Sequence, residues 1–229
     1  MLEIDVEDYT DKESRFVTDR GVKVTMKRAM YSSKEQVNYI ADYWQEFEDA
    51  LYSENGKNSQ GKHYSEYVNM DSYVMQWLLY ELVQEGSMSS SIYFYKESEV
   101  TGDGLLHACF PWDMEHSYLM YGPIQEMWLK ESETLSSYWS QFWKHEDFRA
   151  AANRIWRTKF VPAIEQMVDE NVNITKSGVK NLRWYEENIG SSSVMETSRW
   201  RKMNPYNRCQ SIREFLKIRK DALSVLLEE

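Results

Sequence analysis

Between residues 37 and 82 the chain carries two stretches in which large apolar side chains return at every third or fourth position, and this constrains its fold more than anything else. Val37, Ile40, Trp44, Phe47 and Leu51 form the first set; Tyr73, Val74, Trp77, Leu78 and Leu82 form the second. That spacing places each set along one side of a helix, which then needs an apolar surface to lie against. Ser32-Ser33-Lys34-Glu35 precedes the first set and reads as a capping box, the Ser32 hydroxyl accepting from the Glu35 amide. The second helix is expected from about Asp71 to Gln84. Glu81 falls on its apolar stripe, where a carboxylate is costly unless it is paired, so it is expected to anchor an arginine or a backbone amide.

Helical spacing resumes near Glu131. Leu135, Tyr138, Trp139 and Phe142 mark one helix, and Phe148, Ala152, Ile155 and Trp156 mark another that starts at Glu146 or Asp147. Pro162 is expected to kink or end it near Phe160, since proline lacks an amide hydrogen and clashes with the preceding turn. Val179, Leu182 and Tyr185 indicate a further helix capped by Gly190. The last, from Ser211 to about Leu227, buries Ile212, Phe215, Ile218, Leu223 and Leu226 and shows a basic flank of Arg213, Lys217, Arg219 and Lys220.

Strand signals are fewer. Residues 1–31 alternate loosely (Leu2, Ile4, Val6, then Phe16, Val17, Val22 and Val24) about a turn at Asp19-Arg20-Gly21, as short strands at the edge of something larger. Residues 91–96 and 105–110 are two β-rich runs joined through Gly102-Asp103-Gly104, a hairpin closed by Pro111. Between the first two helices, residues 53–63 are polar and read as an exposed loop. The expected fold is α+β and mainly α-helical: one domain over 1–229, with short strands in 1–31 and a helical lobe over 32–229 that holds the hairpin 90–111.

Charge and length exclude several functions. A balance of 27 basic against 37 acidic residues leaves a net charge of −10, which argues against a nucleic-acid partner. No apolar run reaches the roughly 18 residues of a membrane span, and residues 1–16 lack the basic-then-apolar layout of a signal peptide. Cys109 and Cys209 read as buried, reduced thiols. His107, Cys109 and His116 invite a metal reading, but their spacing fixes no set of four ligands, and plain strand packing is favoured. Phe, Tyr and Trp make up 14% of the chain, which raises glycan binding; the periodic placement of Trp44, Trp77, Trp139 and Trp156 assigns most rings to the core instead.

Several segments in order resemble the spore coat protein H (CotH) kinase-like family: VNYIADYWQEFEDALY at 37–52, HYSEYVNMDS at 63–72, the helix end Glu81-Leu82, SSIYFYK at 90–96, and PWD at 111–113, which is similar to the family's Gly-Pro-Val-Trp-Asp-Phe-Asp. HEDF at 145–148 and SRW at 198–200 also look like family positions. The resemblance implies an atypical protein-kinase-like fold, this chain supplying its helical C-lobe. It also implies ATP- and Mg- or Mn-dependent phosphorylation of serine on a protein substrate, in a secreted, cell-surface or spore-coat setting. Asp113 matches the acid that holds the metal against the phosphates, with Glu115 in place of the family's second Asp. Where the family has Asn-x-Asp, whose Asp takes the substrate hydroxyl proton, this chain has Gln84-Glu85-Gly86, so Glu85 is the candidate base. The chain's start resembles the middle of the family, and the strands and lysine that grip the nucleotide have no counterpart in it. Two functions follow: a protein serine kinase, or a non-catalytic pseudokinase that binds a coat or surface protein.

Overall fold

A computed structural model describes residues 1–4, 14–27, 32–85, 91–112, 114, 117, 124–127, 129, 137–200 and 205–228. The fold is α+β and mainly helical, as the periodicity implies. Strands β1 (Leu2–Ile4), β2 (Arg15–Val17), β3 (Lys23–Met26), β4 (Ile92–Lys96) and β5 (Leu106–Ala108) form one antiparallel sheet in the order β2-β3-β1-β4-β5. The strands within residues 1–31 are therefore not peripheral: β1 is the middle strand, Ile4 lying between Val24 and Ile92. Strand order depends on contacts far apart in sequence, which alternation within one segment does not encode.

Helices α1 (Lys34–Tyr52) and α2 (Met70–Val83) cover the face of the sheet that carries Leu2, Ile4, Val24, Ile92 and Phe94. The contact is aromatic. Trp44 of α1 and Tyr73 of α2 each lie 5.4 Å from the Phe94 ring, and the Trp44 indole donates to the Tyr138 hydroxyl at 3.0 Å. Trp44, Trp77, Trp139 and Trp156 are all buried, which assigns those rings to packing. The cap of α1 falls one residue later than expected: Ser33 Oγ accepts from the Gln36 amide at 3.3 Å, and the Gln36 side chain accepts from the Ser33 amide at 2.9 Å. Serine and glutamine meet the same geometric need as Ser32 and Glu35, so the motif is present in both registers and the structure takes the second.

The loop after α1 is mostly exposed, but it is ordered by its own bonds. Gly56 is buried at φ +71°, where a Cβ would come 2.4 Å from His63 Nε2. Asn58 donates to the Tyr67 hydroxyl at 2.7 Å, and that hydroxyl donates to Glu46 at 2.9 Å.

Helices α3 (Ser137–Lys144), α4 (Glu146–Ile155) and α5 (Val161–Val168) follow. Leu135 and the expected start near Glu131 lie outside the described residues. Pro162 does not break the helix. Residues Trp156–Phe160 widen into a π turn, the Val161 amide reaching back to the Trp156 carbonyl, and α5 continues with proline in its first turn. The wider turn removes the ring clash that an unbroken α-helix would force.

Helices α6 (Leu182–Trp200) and α7 (Pro205–Leu226) pack against each other. Four expectations fail here. Gly190 does not cap α6 but sits within it, a position that costs about 1 kcal/mol relative to alanine without ending the helix. Val179 lies before α6, in a loop closed by the Ile174–Lys180 bridge. The basic flank of α7 is also not one surface: Arg213 and Arg219 are buried, Lys217 is exposed, and Ile218, expected inside, is 42% exposed. Arg213 pairs with Glu186 at 2.7 Å.

Candidate functional site

Of the expected site residues, Glu85, at the end of α2, is the one among the described residues. Asn69 starts α2 by accepting from the Ser72 amide at 3.0 Å. The helix ends at Gln84, which takes a left-handed backbone (φ 51°, ψ 54°) so that the Glu85 amide can bond back to the Tyr80 carbonyl at 3.2 Å. That conformation costs a side-chain-bearing residue roughly 1–2 kcal/mol. Complete burial of the Gln84 side chain holds it in place.

Immediately before this turn, Glu81 meets the expected need for a partner. Its carboxylate and the Arg219 guanidinium, both fully buried, are 2.6 Å apart, and the second carboxylate oxygen accepts from the Leu129 amide at 2.7 Å. Arg219 also donates to the carbonyls of Glu81, Ile124 and Glu126, at 2.6, 2.9 and 2.7 Å. Burial pulls the guanidinium pKa down while Glu81 pushes it up; from so high a starting point the group stays charged. The pair joins α2 and α7 to the backbone of Ile124, Glu126 and Leu129, and with both side chains fully buried in that joint its role is structural.

Glu85 lies just past the turn and points inward. It is 2% exposed and accepts from the Ser117 hydroxyl at 2.5 Å. Its neighbour Tyr80 is buried, its hydroxyl accepting from the Gln76 amide at 3.2 Å. Burial above all, with a smaller push from the Glu85 charge, raises the Tyr80 pKa to about 12. Asp113 and Glu115, the expected metal ligands, lie outside the described residues, as does His116.

The hairpin shows one face to the core and one outward. The outward face carries Tyr93, Tyr95 and His107, and beyond β5 come Phe110 and Trp112, 48% and 53% exposed. Tyr93 stacks on Phe110 at 5.6 Å and meets Trp112 edge-on at 6.1 Å. These rings are among the aromatic residues that periodicity did not assign to the core. Cys109 is free and half-buried, not fully buried, and His107 does not join it; the Cys209 side chain lies outside the described residues. Instead His107 Nε2 lies 3.0 Å from both oxygens of Asp103, four residues earlier, with Glu97 alongside. The Leu105 amide and then His107 hold the Asp103 carboxyl below its usual range. Sequence reasoning missed Glu97 and Asp103 because the turn that folds Glu97 back beneath Asp103 is set by Gly102 and Gly104, not by regular spacing.

No family model, curated protein or solved structure matches the chain.

Proposed function

We propose that this chain is a CotH-like domain that does not transfer phosphate and instead binds a protein of a coat or cell surface. The state of Glu85 carries the reading. A general base must come within about 2.6–3.2 Å of the hydroxyl it deprotonates, directly or through one water. Glu85 is 2% exposed, and Ser117 occupies one of its oxygens. A carboxylate so engaged fastens a loop to the end of α2. The exposed Phe110 and Trp112 support the binding half of the reading, since aromatic side chains are enriched where proteins meet.

Thermal unfolding with ATP and Mg²⁺ or Mn²⁺ tests it. A nucleotide at 100 times its dissociation constant adds about 2.7 kcal/mol to stability, so a bound nucleotide gives a clear upward shift. No shift is expected. Saturable, metal-dependent ATP binding that Asp113→Ala abolishes, together with phosphate transfer to a protein serine, would overturn the proposal. The active reading would then stand, with Asp113 and Glu115 on the ion.

A further inference from the structure

We propose that the turn of the β4–β5 hairpin is a binding site for a divalent transition-metal ion, with Glu97, Asp103 and His107 as ligands and zinc as the representative ion. The three residues offer two carboxylates and an imidazole whose ligand atoms all lie within 4.8 Å of one another. Two ligands about 2.1 Å from a tetrahedral zinc ion sit about 3.4 Å apart. The separation of 3.0 Å between His107 Nε2 and the Asp103 oxygens is already close to that, and small side-chain rotations bring in Glu97. The donor set suits the ion, since imidazole and carboxylate oxygens are ordinary zinc ligands and two carboxylates neutralise its charge.

Each ligand is also held from behind. The His107 ring is 12% exposed and stacks on Tyr95 at 4.7 Å, 11° from parallel, which fixes the direction of Nε2. The Leu105 amide holds Asp103 at 2.9 Å. Glu97 reaches the cluster only because position 102 is glycine: a Cβ there would stand 2.2 Å from Glu97 Oε2. Such supports orient first ligands in metal sites generally. The neighbouring Lys96 ammonium pairs with Glu99 at 3.4 Å and bonds to the carbonyls of Gly104 at 2.8 Å and Glu97 at 3.3 Å, and it makes no ion pair with a carboxylate of the cluster. Neither Asp113 nor Glu115 is among the three ligands, and the proposal requires no nucleotide. A bound ion would join the two ends of the hairpin turn.

Calorimetric titration of the full chain with zinc chloride, followed by a histidine ¹H–¹⁵N spectrum, tests the proposal. One equivalent should bind, shifting the Nε2 resonance of one of the 4 histidines. His107→Gln should remove that resonance and weaken binding by at least about tenfold, as expected for one of three ligands. Asp103→Asn should weaken binding similarly, so the reasoning does not hang on one variant's folding. Gly102→Ala, which removes no ligand but displaces Glu97, should weaken it as well, and Asp113→Ala should leave it unchanged. Absence of binding heat overturns the site. So does zinc binding that persists undiminished in His107→Gln and Asp103→Asn, or that disappears in Asp113→Ala.

Discussion

Replacing Arg219 with methionine should be among the most damaging single changes available in the described core. The side chain is fully buried, pairs with Glu81 at 2.6 Å and serves three backbone carbonyls. Removing one partner of a buried pair costs about 3–5 kcal/mol, because the other charge stays buried. The three abandoned carbonyls push the expected loss to the upper end, about 5 kcal/mol, out of a total of roughly 5–15 for a typical domain. Glu81→Gln is milder, since glutamine can still accept from the Leu129 amide and Arg219 keeps its carbonyls; about 2–3 kcal/mol is expected. Urea denaturation followed by circular dichroism at several pH values measures both. In Arg219→Met the buried Glu81, having lost the guanidinium charge, has a folded pKa above its unfolded value of about 4.3. The folded state then binds the extra proton, so the deficit against wild type is largest near neutrality and shrinks as the pH falls towards 4.3. A loss below about 1 kcal/mol, a deficit that grows in acid, or a Glu81→Gln loss exceeding that of Arg219→Met would refute the reasoning.

Gly56→Ala should destabilise the chain by more than the roughly 1–2 kcal/mol of a left-handed alanine, because the new Cβ also meets His63 at 2.4 Å. Gly61→Ala, at φ +81° with nothing within 4 Å, should cost the backbone term alone, and equal losses in urea melts would remove the steric argument. Alkaline stability should fall steeply. Burial above all raises the pKa values of Tyr67 and Tyr80 to about 12 and of Tyr43, Tyr64, Tyr73 and Tyr138 further. The folded state therefore holds protons that the unfolded chain releases near pH 10; this stability is complete below pH 10 and lost as the pH climbs through 12. Ultraviolet titration should show part of the tyrosine absorbance change arriving only with unfolding, and smooth titration of every tyrosine near pH 10 would contradict it.

Where one helix supplies both the pattern and its meaning, the sequence is easy to read. The stripes of α1 and α2 are buried largely as their spacing implies, and Glu81 is identifiable as a carboxylate in need of a partner. Its partner is not identified so readily. Arg219 stands three residues after Leu216 and four before Leu223, on the buried stripe of α7, and only its charge suggests a solvent-facing flank. An arginine at an apolar-stripe position is the counterpart of a glutamate at one, but Arg213 is buried on the same helix and pairs with Glu186, so opposite charge alone does not choose between the two arginines. The central place of β1 has no such signal, because strand order is decided between segments. Nor has the hairpin cluster, because two glycines set the path of its turn and no periodicity registers them.

The Glu81–Arg219 joint also explains why the end of α2 can carry an unusual geometry. Gln84 leaves the helix with a left-handed backbone and Glu85 turns inward, both at a cost that local sequence does not repay. One turn earlier, Arg219 ties the Glu81 carbonyl and carboxylate to α7, and the Leu129 amide holds the same carboxylate from a second part of the chain. The helix terminus is thus fixed from two distant parts of the chain before the strained residue is reached. Strain of this kind persists only where surrounding contacts over-determine the backbone. The inward Glu85 is therefore a consequence of the whole fold, and its burial and its bond from the Ser117 hydroxyl are set by contacts that no local pattern shows.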